Sequence, residues 1–280
     1  AQASVKAAIE NPEVRILNCS LNTSHRYIRT YYARMHEAKF LMGALAGALT
    51  TNDKLAYVGD YPIYGSIANI NAFAIGAKMV NPRAKVYLEW SSMKDIDIAE
   101  RLKEIGAGCI SGKDMVIPEE STREFGLYTL DGEHTRSLAM PLWHWGKFYE
   151  QLIRTIMDGT WKYDDNSYEK KAINYWWGMS AGVIDVICSK NNHDTSFFGS
   201  RKNGMRTREN AMELLKQSIV SQQFSPFSGI LYSQNGMVQG DPKQRLTPEE
   251  IITMDWLAEN VVGIIPKTED LQEQAKPVTL

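Results

Sequence analysis

The chain is poor in several things, and each shortage closes a class of function. It has three cysteines, Cys19, Cys109 and Cys188, an odd number set far apart in apolar runs. That pattern suits buried thiols rather than a disulfide framework, and it offers no metal-ligand spacing. The five histidines, His25, His36, His134, His144 and His193, show no such spacing among themselves or with cysteine, so no metal site is expected. No run of basic residues accompanies the formal net charge of −2, which leaves no electrostatic footprint for nucleic acid or an anionic membrane. No apolar stretch is long enough to span a bilayer: the most hydrophobic, FLMGALAGAL at 40–49, continues an amphipathic pattern and reads as core. Internal repeats, low-complexity linkers and a signal peptide are also missing. The opening AQASVKAAIENPEV reads like the middle of a helix, which suggests processing or truncation.

What is present is 280 residues, 44% of them hydrophobic, enough for a large α/β domain or two lobes. Helical and strand-like segments alternate from Ala3 to Leu142, the pattern of βα units around a mostly parallel sheet. VRILNC (14–19), LAYVGD (55–60), KVYLEW (85–90), GCISG (108–112) and FGLYTL (125–130) are continuous apolar runs, as strands covered on both faces require. A long helix is predicted from Ile28 to about Leu49, with apolar residues at 28, 31, 32, 35, 38, 41, 42, 45 and 49. Gly43 and Gly47 would let it approach a neighbour closely. Shorter helices are predicted near 66–80 and 95–105.

Beyond Leu142 the pattern predicts a helix at 143–159, a helix or extended segment at 168–177, a strand at 182–188, an exposed loop at 189–204 and a helix at 208–223. TPEE at 247–250 carries a capping box, with Thr247 as N-cap, Pro248 at the first helical position and Glu250 three residues after the cap; a last helix is predicted from there to about Val262. Because a parallel strand is ordinarily preceded by a strand and a crossover helix, a chain that begins with a helix predicts further strand upstream.

Two short motifs suggest chemistry. GMSAG at 178–182 matches the G-x-S-x-G string of hydrolases, but a nucleophile elbow has a strand before it and a helix after it. Here the order is reversed, so Ser180 reads as a turn residue. GAGCISGKD at 106–114 satisfies neither phosphate-binding glycine pattern, since Asp114 follows Lys113. The alternative is that Lys113 and Asp114 line the carboxyl end of a strand and meet a neutral polar ligand. Aromatic residues are the stronger chemical signal. Tyr61 and Tyr64 follow one strand, Trp90 ends another, Tyr128 lies in a third, and Trp143 and Trp145 open a helix. Rings at strand ends can build a stacking slot for a flat ligand.

IRTYYARMHEAKFLMGALAGALT, then LAYVGDYPIYGSIANINAFAIGAKMVNPRAKVYLEWSS, then LAMPLWHWGKFYEQLI and finally MDWLAENVVGIIP together resemble the basic membrane protein family of ABC-transporter substrate-binding proteins, which includes purine nucleoside receptors. The resemblance is closest over residues 4–160. It implies a type I periplasmic-binding-protein-like α/β fold of two Rossmann-like lobes, here with the first lobe incomplete. The implied domains are 1–54 plus 144–178 as a remnant of the first lobe, 55–143 plus 179–240 as the second, and 241–280 as a C-terminal helix and tail packing on both.

The same resemblance implies a non-enzymatic protein without a cofactor, which captures a purine nucleoside or similar planar ligand between lobes and passes it to the membrane subunits of an ABC transporter outside the cytoplasm. It implies no nucleic-acid partner and no membrane span of its own. Asn18 and Ser20 fall where the family places a polar contact, and Lys113 and Asp114 fall on its second-lobe loop. Ser111 stands in place of an aromatic there. The acidic ribose-binding position falls on Tyr128 or, with the loop shifted, Asp131. Trp90 and Trp143 are candidate stacking surfaces, and Asp60, Tyr64 and Ser91 are expected to border the cleft. The alternative is a ligand-sensing or protein-interaction module of a larger regulatory protein, for which the thiols would suit a reducing compartment.

Overall fold

The computed structural model describes residues 2–19, 28–114, 124–131, 134–161, 173–189 and 202–276. Within them the chain runs α1 (Gln2–Glu10), β1 (Ile16–Asn18), β2 (Ile28–Ala33), α2 (Met35–Leu49), β3 (Lys54–Gly59), α3 (Ser66–Val80), β4 (Lys85–Trp90), α4 (Ile98–Ile105), β5 (Cys109–Ser111), β6 (Leu127–Asp131), β7 (His134–Trp143), α5 (Trp145–Met157), β8 (Tyr175–Trp177), β9 (Ile184–Cys188), α6 (Lys202–Val220), β10 (Leu231–Ser233), β11 (Gly236–Gln239), α7 (Pro248–Ile252) and β12 (Val261–Val262). Single turns of 3-10 helix lie at Met179–Ala181 and Thr268–Asp270.

A seven-stranded sheet of order β12-β4-β3-β5-β6-β7-β9 forms the body. β12, β4, β3 and β5 are mutually parallel, whereas β6, β7 and β9 pair antiparallel in succession. A second, three-stranded sheet, β1-β2-β8, is parallel throughout. The α/β class and parallel strand pairing expected from the pattern are thus observed, with an antiparallel extension that the apolar run FGLYTL did not announce.

Period-two alternation explains why β3 is apolar from Leu55 to Val58. Leu55 and Tyr57 face the main core with α2 and α3, while Ala56 and Val58 face a smaller cluster with Leu102 of α4, Ile110 and Tyr128. Each face is covered by a crossover helix, as parallel strands demand. On the first face α2 and α3 lie in backbone contact. A Cβ on Gly43 would sit 2.0 Å from the Phe73 carbonyl oxygen, and one on Gly76 would sit 2.1 Å from that of Phe40. The close approach predicted from Gly43 and Gly47 is made to α3, and Gly76 returns it.

Two expectations need correction. The helix predicted from Ile28 begins only at Met35, because Ile28–Ala33 is a strand held between β1 and β8. IRTYYA is rich in β-branched and aromatic residues, and its pairing on both sides overrides a 3.6-residue period that it satisfies by coincidence. The helix predicted from Thr247 to Val262 stops at Ile252. Its continuation is tied to α3 by side-chain hydrogen bonds: buried Asn71 donates to the Trp256 carbonyl (2.6 Å) and accepts from Ala258 N–H (2.8 Å), and Asn260 donates to the Ala74 carbonyl (2.9 Å). Val261 and Val262 then extend the sheet beside β4.

The capping box itself is formed. The Thr247 hydroxyl accepts from Glu250 N–H at 3.2 Å, and the Glu250 carboxylate accepts from Thr247 N–H at 2.7 Å. The Thr247 N–H and then its hydroxyl, both donating to that carboxylate, hold the Glu250 carboxyl below its usual range. A folded pKa depressed in this way gives stability above the ordinary glutamate range that is lost as pH falls through the folded value. Thr247→Ala is expected to cost about 1 kcal/mol in urea denaturation at neutral pH, and less in acid.

The buried thiols were expected at all three cysteines. Only Cys109 is buried, while Cys19 and Cys188 are exposed, since Cys188 ends β9 and Cys19 follows the last residue of β1. The loop predicted at 189–204 and the segment at 168–172 fall almost entirely outside the described residues.

Candidate functional site

The chain climbs β3, returns through α3 to β4 on one side, and crosses back through α4 to β5 on the other side of β3. Strand order therefore reverses at β3, and the loops leaving the carboxyl ends of β3 and β5 part company there. Open α/β sheets place their ligand crevice at such a point. A cleft of about 230 Å³ lies at this edge, with Tyr57 and Gly59 at its base and Asp60, Tyr61, Ser66, Asn69, Lys113 and Asp114 around it.

Its polar groups are partly committed to one another. Asp60 accepts from the Ser91 hydroxyl at 2.7 Å, tying the end of β3 to the end of β4. Below Asp114 lies the ammonium of Lys39, from α2, fully buried. It donates to the Ser111 hydroxyl at 3.2 Å and to Oδ1 of Asp114, and stands 5.0 Å from the centre of the Tyr57 ring. Burial opposes charge on Lys39, but the Asp114 carboxylate and Tyr57 hydroxyl outweigh it and raise its pKa. Burial pushes the Tyr57 phenol up to about 12, so it is neutral near pH 7. Among the described residues, no hydrogen bond engages the second carboxylate oxygen of Asp60 or Asp114, or the side-chain amide of Asn69. The cleft thus offers two acceptors and one two-way amide.

Of the residues expected at the site, Asp60, Lys113 and Asp114 meet in this cleft, and Ser91 joins through Asp60. Others are elsewhere. Trp90 is not a stacking surface: it is 1% exposed, its ring covers Gly59, and its indole N–H donates to the Ile264 carbonyl at 2.8 Å. Tyr128 is buried in the cluster behind the sheet. Trp143 packs half-buried against the main core, four strand positions from Ala139, the residue in register with Leu127.

Asp131 falls at the wrong edge. β6 begins beside Ser111 and runs antiparallel to β5, so its last residue lies at the sheet edge opposite the cleft. Tyr64 packs with Ile173 and Ile252 and lines a separate apolar pocket of about 270 Å³. Asn18 ends β1 in the small sheet, accepting from the Ser4 hydroxyl at 3.0 Å. Ser20 lies outside the described residues.

The sequence reading missed Lys39 and Tyr57 altogether. Lys39 had a signal, being a lone lysine inside the most apolar helical stretch, where a buried cation demands a partner.

Ser180 sits in the 3-10 turn Met179–Ala181, as a turn residue should. Its hydroxyl accepts from Arg34 at 2.7 Å and Gln222 at 3.0 Å, and neither group is a base. Asp185 is paired with Lys216 at 2.5 Å instead. His36, buried and stacked 5.6 Å from Trp176, has its pKa lowered to about 3 by burial and then by Arg34, so it packs as a neutral ring. Among the described residues no cluster of three metal-ligating side chains occurs, and no helix is long and apolar enough to cross a membrane.

Residues 2–107, which carry β3, α3, β4 and α2, match the family described as ABC transporter substrate-binding protein PnrA-like. Over that part the chain is similar to the family. It is 22% identical over 277 residues to a purine-binding protein of Brucella abortus (strain 2308), a match covering 94% of this chain and 73% of that protein. A putative ABC transporter glucose-binding protein of Haloferax volcanii is 27% identical over 169 residues, covering 55% of this chain and 40% of that protein. Among solved structures, an ABC transporter system solute-binding protein from Conexibacter woesei DSM 14684 shares the fold at a TM-score of 0.50 and 13% identity, over 80% of this chain and 75% of that one. The resemblance read from the sequence is borne out, and so is the type I binding-protein-like fold.

Proposed function

We propose that this relative of the ABC-transporter substrate-binding proteins captures a purine nucleoside or a similar small planar ligand in the cleft at the carboxyl ends of β3 and β5. The observation that carries this reading is the set of open polar atoms there: Asp60 and Asp114 as acceptors and the Asn69 amide as donor and acceptor, over a base formed by Tyr57. An amide of this kind pairs in both directions with an adenine-like edge, while carboxylates accept from ring N–H, amino or ribose hydroxyl groups. The purine-binding relative from Brucella supports the ligand class. The match to ABC transporter substrate-binding proteins supports capture and release as the role.

In this reading the partners are the ligand and the membrane subunits of a transporter, and the protein works outside the cytoplasm, at the cell surface or in the periplasm. In this reading the small sheet belongs to a first lobe, and the seven-stranded sheet, with α2 and α3 packed on it, to a second.

A thermal-shift screen of the full chain with adenosine, inosine, guanosine, adenine, uridine, riboflavin and glucose tests the proposal. A ligand at a hundredfold over Kd is expected to add about 2.7 kcal/mol of stability, with the purine nucleosides leading. A shift with glucose alone, or none with any compound, would overturn the purine reading.

A further inference from the structure

The buried ammonium of Lys39 has no ordinary structural justification. The rest of α2 beyond Lys39 is apolar, and Ala38, Phe40, Leu41 and Met42 are in the core. A leucine or methionine would fill the same volume without removing a charge from water, and a buried ion pair is often no more stabilising than the apolar residues that replace it. What the lysine accomplishes is local. Tyr57 and Ser111 are register partners on neighbouring strands, and the ammonium lies against both as it reaches past the end of β5 to Oδ1 of Asp114. Ser111 is itself fully buried, so its hydroxyl is fixed. The Asp114 side chain, by contrast, is 22% exposed and lines the cleft, with one oxygen held from below and the other open.

We infer that Lys39 is the positioning residue of the cleft: it fixes the Asp114 carboxylate as an acceptor which, together with Asp60, selects ligands presenting hydrogen-bond donors at two points and rejects anions. The inference rests on the reading of this cleft as the ligand site. The geometry explains why the pair is built as it is. A carboxylate tethered through one oxygen keeps its acceptor orientation without ordering cost at the moment of binding. An anionic ligand would meet carboxylates on two sides, with Lys39 already taken by Asp114 and the Lys113 side chain in the same lining. A neutral nucleoside, whose donors are its amino, imino and ribose hydroxyl groups, meets both acceptors.

The experiment is a double-mutant cycle on the full chain, using Lys39→Met, Asp114→Asn and the two combined. Calorimetry is run with adenosine, inosine and guanosine, and with AMP as the anionic counterpart. The wild type is expected to bind its preferred nucleoside, with adenosine at least tenfold tighter than AMP. Each single variant should lose at least tenfold for the nucleoside, and the double variant should lose no more than about twofold beyond the weaker single, because Lys39 acts only through Asp114. The adenosine-to-AMP ratio should fall in Asp114→Asn and in the double variant, which lose a carboxylate from the cleft, and should not fall in Lys39→Met, which loses the compensating cation.

Additive losses, or a ratio unchanged in Asp114→Asn, would make Lys39 a merely structural residue and overturn the inference. If Lys39→Met does not fold, Asp114→Asn and Asp114→Ala decide through the same ratio, since both leave α2 intact. A wild type that binds none of the nucleosides removes the proposed function and this inference together. A wild type that binds, with Asp114→Asn equal to it on all four probes, removes the inference alone.

Discussion

Gly43→Ala is expected to destabilise the chain by on the order of 3 kcal/mol, despite replacing a poor helix former with the best one. Alanine in a helix interior is favoured over glycine by about 1 kcal/mol. Against that gain stands a methyl group 2.0 Å from the Phe73 carbonyl oxygen and 2.7 Å from its carbonyl carbon. Both are backbone atoms of α3, so no side chain can turn aside; the helices must separate, and overpacking of this kind costs 1–3 kcal/mol or more. Gly76→Ala makes the reciprocal clash with the Phe40 carbonyl oxygen at 2.1 Å and should behave alike. Gly146→Ala supplies the opposite sign: this glycine lies in α5 with nothing within 4 Å of the new methyl, and the change should be neutral or stabilising by up to about 1 kcal/mol. Urea titration checks all three, through a displaced midpoint at unchanged m-value. Equal effects at positions 43 and 146 would mean that α2 and α3 are not in backbone contact.

That contact shows what kind of structure was legible in the residues. Two glycines spaced by four in an apolar helix announce a close approach, and the strands β3 to β5 announced themselves because a strand buried on both faces has to be apolar at every position. The misread segment, Ile28–Ala33, failed for the converse reason. IRTYYA satisfies a helical stripe and a strand equally, and only its pairing with β1 and β8, at register partners such as Tyr31 and Tyr175, decides between them. Sequence separation of this size is invisible to a local pattern. The over-extended final helix failed similarly: the residues that tie its continuation to α3, Asn71 and Asn260, include one nearly two hundred positions away from the backbone it captures.

The site was half legible. Asp60, Lys113 and Asp114 follow strands that end in polar turns, and such ends converge wherever strand order reverses. Asp131 was misplaced because the direction of β6 is not encoded in FGLYTL; an antiparallel strand carries its carboxyl end away from the cleft. Lys39 escaped because it lies on a helix beneath the sheet rather than in a loop at its edge. Its depth is the reason it matters, since an ammonium in the core must take its partner from whatever strand end it can reach.

Trp90→Ala carries the second large effect, and it separates two roles that the sequence could not. The side chain is 1% exposed, lies on Gly59 and donates to the Ile264 carbonyl at 2.8 Å. Truncation leaves a cavity worth about 3–5 kcal/mol and strands the carbonyl, which adds about 1–3 kcal/mol where it stays unsolvated. Trp90→Phe refills much of the volume and should lose little beyond the hydrogen bond. A ring that stacked on ligand would give the reverse result: Trp90→Ala would leave the unfolding midpoint nearly in place while weakening nucleoside binding by the 1–3 kcal/mol of a lost stacking face. Measuring urea stability beside nucleoside affinity on the fraction that remains folded tells them apart. The packing places Trp90 in the first class, with affinity within about threefold of the wild type. In the proposed reading Tyr61, the exposed ring of the cleft lining, is then left to meet a planar guest.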